Sequence, residues 1–162
     1  MSGQKKTNAC RALDALGISY GLRSYEVDES DLSAESVAHK LGLPAEQVWK
    51  TLCLRAEDRA VLLALIPAGF ELDLKKLARA ADKRSVAPVP LKELTELTGY
   101  IRGGVTALAC KKPYPVFVDE SVLLFDAISV SAGQRGLQII IAPNDYLRAT
   151  QANTADLTRL KA

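Results

Sequence analysis

Hydrophobic and polar positions divide the chain into short elements whose period changes repeatedly. Cys10, Leu13 and Leu16 fall on one side of a helix predicted over residues 8–16, capped by Thr7 or Asn8 and ended by Gly17. Ile18, Tyr20 and Leu22 then alternate, and Tyr25 and Val27 take up the opposite phase. That pattern predicts one strand with a bulge or bend. Ser33 caps a helix through Leu41, with Val37 and Leu41 four residues apart, and Gly42 stops it. Pro44 at a first helical position predicts a further helix over residues 44–50, which delivers Lys50 to a helix–strand junction. Residues 51–56 and 60–66 are apolar and flank the charged turn Glu57-Asp58-Arg59. They read as an antiparallel hairpin near the middle of a sheet.

After the break at Pro67-Ala68-Gly69, Asp73 caps a helix. Leu74, Leu77, Ala78 and Ala81 form its buried face, and Lys75, Lys76 and Arg79 point out. Residues 85–89 predict a short strand, and Pro90 opens a helix through Leu97 that Gly99 ends. Strands follow at 116–118, 128–131 and 137–141, the last two joined by the turn 132–136. Pro143 opens a short turn or helix, and a second one is predicted near Asn153 or Thr154. Six or seven strands and about five helices make a mixed α/β fold, a single domain over residues 1–162 with the first six residues loose. The tight hairpins exclude a regular βαβ series.

Composition changes this picture little: 48% of the 162 residues are hydrophobic and 25% charged, as in an ordinary globular protein. Charge placement is more informative than the net +2. Residues 26–35 carry five acids and no base, whereas residues 75–84 carry five bases and one acid. No apolar run is long enough for a membrane span. The three cysteines form no CxxC pair, so a reducing cytoplasm is expected.

Candidate chemistry narrows quickly. His39 is the one histidine, so neither a metal cluster nor a Ser-His-Asp triad can be assembled, and no cofactor is expected. A redox role fails for lack of CxxC. Lys50 remains, flanked by Trp49 and Thr51 and leading straight into a core strand. A surface lysine favoured by a helix C-terminus is one reading. A rigidly held ammonium that grips a carbonyl, phosphate or carboxylate is the other. The Gly103-Gly104 loop and the strand ending at Ser131 would supply backbone N–H groups for an oxyanion.

Four ordered segments carry a resemblance. Val48-Trp49-Lys50-Thr51-Leu52 is similar to the V-[YWF]-K-T-L segment of the YbaK/EbsC family. Leu72 to Ala78, Thr98 to Val105 and Val130 to Leu137 are similar to further segments of the same family, in the same order. The family's members are similar to the editing domain inserted in bacterial prolyl-tRNA synthetases. The resemblance implies a curved mixed sheet surrounded by helices and an aminoacyl-tRNA deacylase with Cys-tRNA(Pro) as the usual substrate. It also implies tRNA, and prolyl-tRNA synthetase, as partners. Lys50, Gly103 and Ser131 match catalytic positions. Tyr25, Thr51, Gly104, Thr106 and Gln138 match the substrate pocket. The basic residues Lys75, Lys76, Arg79, Lys111 and Lys112 would track tRNA phosphates, or simply form a solvated face. The sequence departs from the family at Ala107, where a proline often stands, and at Gln138, where an aspartate often stands. An Ala-tRNA(Pro) deacylase and a non-catalytic tRNA- or synthetase-binding module therefore stay open beside the Cys-tRNA(Pro) reading.

Overall fold

The computed structural model describes residues 6–161. The loose segment expected over the first six residues lies, for residues 1–5, outside them; Lys6 reaches Asp14 at 2.6 Å. Among the described residues ten strands, five α-helices and two 3-10 turns follow one another, more strands than the hydrophobic pattern predicted. A five-stranded mixed sheet has the order β5(Val86–Pro88)–β2(Trp49–Ala56)–β3(Val61–Pro67)–β6(Val116–Asp119)–β9(Asn153–Ala155). The β2–β3 hairpin is antiparallel, and β3–β6 and β6–β9 are parallel. A three-stranded antiparallel sheet runs β1(Gly21–Ser24)–β8(Leu137–Ile141)–β7(Ile128–Ser131). A small ladder joins β4(Phe70–Leu72) to β10(Thr158–Leu160). Among the described residues no helix is long and apolar enough to cross a membrane.

Side-chain alternation on β3 explains its unbroken apolar sequence. Leu63 and Leu65 enter one core cluster with Trp49, Val118, Ile139 and Tyr146; Leu62, Ala64 and Ile66 enter another with Leu77, Phe117 and Leu157. A strand buried on both faces reads as a run of aliphatic residues. Helix α3(Leu74–Ala80) covers the second face through Leu77 and Ala78. Helix α1(Asn8–Ala15), through Cys10 and Leu13, and α5(Pro143–Thr150), through Tyr146, pack against the first. Helix α2(Ala34–Leu41) is capped by the Ser33 hydroxyl, which accepts from the Ser36 N–H at 3.1 Å. Helix α4(Leu91–Thr98) lies between Pro90 and Gly99 as expected.

Four local expectations are corrected. The helix over 44–50 is a single 3-10 turn, Ala45–Gln47, closed by Gln47 N–H to the Pro44 carbonyl and Val48 N–H to the Ala45 carbonyl. Val48 is already extended, and its carbonyl accepts from the Ala68 N–H at 2.8 Å. The β-branched and aromatic residues Val48, Trp49 and Thr51 favour a strand paired on β3 over another helical turn. Lys50 is therefore a strand residue. The strand expected over 18–27 shrinks to Gly21–Ser24, because only these residues pair with β8. Leu74 is 38% exposed and off the buried face of α3. Near Asn153 the chain forms an edge strand on β6 and not a helix, after Gln151 closes α5 in a left-handed conformation.

Candidate active site

Backbone pairing opens a gap beside Lys50. Antiparallel ladders alternate which residues turn their N–H and C=O toward a given neighbour. The Ala68 N–H bonds the Val48 carbonyl, and the Ala56 N–H bonds the Ala60 carbonyl, so even-numbered positions of β2 face β3. Odd positions face the other way. There the Val89 N–H reaches the Cys53 carbonyl at 3.0 Å, and the β5 ladder continues from Leu54 onward. Below Thr51, β7 touches this edge through the bridge Val48–Ser129. Thr51 falls between the two, with its backbone groups turned outward, and a cleft of about 730 Å³ occupies the gap.

Lys50, Thr51, Gly103, Ser131 and Gln138 all line this cleft. The Lys50 backbone is fixed by its β3 ladder and by Trp49, which is buried and packs edge-on against Phe125 at 6.4 Å. Burial lowers the Lys50 pKa below the usual lysine value. Glu35 and Glu71 oppose that shift, and Lys161 adds to it. Among the described residues no ion pair involves Lys50. The Ser131 hydroxyl oxygen accepts from the Gly133 N–H at 3.1 Å. Gln138 is buried, and its Oε1 accepts from the Ser129 hydroxyl at 2.8 Å, which takes one of the two lone pairs of that oxygen.

Gly103 has φ +86°, a left-handed conformation that favours glycine. Gly104 is needed for close approach: a Cβ there would lie 3.0 Å from the Gln134 Cα. The Gly104 N–H donates to the Ile101 carbonyl at 2.9 Å, so the loop turn already uses it. Gly104 and Thr106 do not line the cleft. Thr106 is fully buried, and its Oγ1 accepts from the Leu108 N–H at 3.4 Å. Tyr25 sits in a separate recess with Lys40, whose Nζ lies 5.9 Å from the ring centroid.

The basic residues divide. Lys76 is tied to Asp156 at 3.0 Å and to the Thr158 carbonyl at 2.7 Å. Lys75 and Arg79 are exposed on α3, whose first residue, Leu74, lines the cleft. Lys111 and Lys112 are exposed on the loop that follows α4. Cys53 lines the cleft, yet burial pushes both its thiol and that of Cys110 up to about 11. His39 is exposed on α2 and does not line the cleft.

Sequence reasoning missed five charged groups at the cleft: Glu35, Glu71, Arg102, Arg159 and Lys161. Arg159 Nε contacts Glu71 at 3.0 Å across the β4–β10 ladder, and Lys161 pairs with Glu35. No local signal announces these pairs, because β10 reaches the cleft only through its tertiary pairing with β4.

Comparisons with known proteins agree with one another. The family described as "Aminoacyl-tRNA editing domain" matches residues 28–149. An Enterococcus faecalis protein named "Putative Cys-tRNA(Pro)/Cys-tRNA(Cys) deacylase EbsC" is 41% identical over 155 residues, covering 96% of this chain and 94% of that protein. A proline–tRNA ligase of Lactobacillus delbrueckii subsp. bulgaricus is 28% identical over 113 residues, 70% of this chain and 20% of the ligase. A crystal structure of "a putative trans-editing enzyme for prolyl tRNA synthetase" superposes with TM-score 0.83 at 26% identity, covering 96% of this chain and 99% of that one.

Proposed function

This chain belongs to the aminoacyl-tRNA editing domain family, and from that premise we propose that it hydrolyses misacylated tRNA in trans, with Cys-tRNA(Pro) as the substrate. The observation that carries the reading is the convergence of Lys50, Gly103 and Ser131 on one cleft at the open edge of β2. The 41% identity to the E. faecalis protein supports the choice of substrate.

Lys50 holds the acceptor-end phosphate or the ester region. A fixed charge at that point orients the scissile carbonyl without entering the chemistry. The Gly103 N–H and the outward N–H of Thr51 are the backbone donors for the tetrahedral oxyanion, and Ser131 borders the same space. The attacking oxygen or sulfur adds to the carbonyl carbon, its proton passes to the ribose oxygen, and the ester C–O bond breaks to release the tRNA hydroxyl. No histidine lines the cleft, and the Cys53 thiol is held at about 11, so the chain offers no imidazole base or thiolate there at neutral pH. Water, positioned by a neighbouring ribose hydroxyl, then supplies the nucleophile, or the substrate's cysteine thiol does so and leaves as a cyclic thioester that water opens. Lys75 and Arg79 beside the cleft contact tRNA phosphates, with Lys111 and Lys112 as a second basic segment. Prolyl-tRNA synthetase is the partner that delivers the mischarged tRNA.

The test is a deacylation panel of Cys-tRNA(Pro), Ala-tRNA(Pro) and Pro-tRNA(Pro). Release of cysteine alone supports the reading. Release of alanine alone reassigns the substrate within the same chemistry. Binding of tRNA with no release from any misacylated tRNA would replace the deacylase with a binding module.

A further inference from the structure

An aminoacyl ester carries an ammonium nitrogen two bonds from the carbonyl carbon under attack. A cleft that presents a lysine to that ester must also offer an anion, or the two positive charges repel. Gln138 cannot provide it, being neutral and having its oxygen engaged by Ser129. The carboxylates lining the cleft are Glu35 and Glu71.

They are held differently. Glu71 Oε2 meets the guanidinium Nε of Arg159 at 3.0 Å, both residues lying on the small β4–β10 ladder. Glu35 is the second residue of α2, and two donors converge on one of its oxygens. The Gly69 N–H reaches Oε2 at 3.2 Å, and the Lys161 ammonium also bonds Oε2. Among the described residues no other residue donates to Glu35 Oε1, although the Glu35 N–H in the first turn of α2 also bonds its own carboxylate. One carboxylate oxygen is thus anchored by the Gly69 backbone and by an ammonium, and no other residue engages the second. The carboxylate already accepts one ammonium group, that of Lys161, which shows the chemistry that it suits.

We propose that Glu35 binds the α-ammonium of the aminoacyl group through Oε1, with Gly69 and Lys161 positioning the carboxylate through Oε2. This rests on the deacylase reading above. Glu35 thereby selects esters with a free α-amine and sets the carbonyl at a fixed distance from Lys50.

The experiment compares Cys-tRNA(Pro) and Ala-tRNA(Pro) with their N-acetylated forms, using the unsubstituted protein and its Glu35→Gln, Glu35→Asp and Glu71→Gln variants. Loss of a charge-assisted hydrogen bond predicts that Glu35→Gln lowers kcat/KM roughly 10- to 100-fold on the free-amine substrate and less than about 2-fold on the N-acetylated one. Glu35→Asp recovers part of the loss. Equal losses on both substrates would reduce Glu35 to a structural residue, and an α-amine-selective loss in Glu71→Gln alone would move the assignment to Glu71. Absence of hydrolysis by the unsubstituted protein, on free-amine and N-acetylated substrates alike, would overturn the deacylase reading and this assignment with it.

Discussion

Burial holds the Lys50 ammonium below the ordinary lysine range, and the carboxylates of Glu35 and Glu71 offset part of that shift. The sign of the effect on stability follows. The unfolded chain keeps the proton to the usual lysine value, and the folded chain releases it earlier, so charged Lys50 weakens the fold below its lowered pKa. The penalty fades as pH rises from that value toward the unfolded one. Lys50→Met should therefore raise Tm at neutral pH, and the gap between variant and parent should narrow in alkaline buffer. Thermal unfolding of both proteins across that range checks it; a gap that is absent or widens with pH would contradict the burial argument. Lys50 was legible in the sequence because a charge inside an apolar run is conspicuous. Glu35 was not, because its partner Lys161 lies 126 residues away.

Elements, more than single residues, create the cleft. The short 3-10 turn Ala45–Gln47 lets β2 begin at Trp49, which places Lys50 on a ladder and leaves the Thr51 edge open between β5 and β7. The loop carrying Gly103 is held against the β7–β8 turn by Gly104. A methyl group there would meet the Gln134 backbone at 3.0 to 3.2 Å. Gly104→Ala should displace the loop, with a stability loss of about 1–3 kcal/mol. It should also cause a larger proportional fall in deacylation than that loss explains. Urea unfolding together with an assay in native buffer separates the two effects; unchanged activity would detach the loop from catalysis. Helix caps at Thr7, Ser33 and Asp73 were readable because each needs only a local side-chain acceptor. The 3-10 turn was not, since Pro44 opens either kind of helix and the choice is made by Ala68 and Ser129 from elsewhere in the chain.

At the scale of the molecule, a near-neutral protein must concentrate its positive charge where tRNA lies. Lys75 and Arg79 project from α3 next to the cleft, whereas Lys76 is spent on Asp156 and Thr158. Lys75→Ala and Arg79→Ala should each raise KM for tRNA, leave kcat nearly unchanged, and lower the salt slope of binding by about 1 per lost phosphate contact. Binding titrations over a range of salt concentrations measure this, and an unchanged slope would make α3 a solvated face. The mixed α/β class, the central hairpin and the β7–β8 pair were visible in the alternation of apolar residues. The C-terminal strands were not, because Asn153, Thr154 and Thr158 to Leu160 are short, largely exposed segments whose pairing is decided by the open edges of β6 and β4. In the proposed function, hydrolysis takes place in the cleft at Lys50. Single-turnover deacylation of Cys-tRNA(Pro) by the protein and by Lys50→Ala tests it most directly. The expected result is a fall of at least roughly 100-fold with an unchanged circular dichroism spectrum; a variant rate within about 3-fold of the parent would remove Lys50 from the reaction.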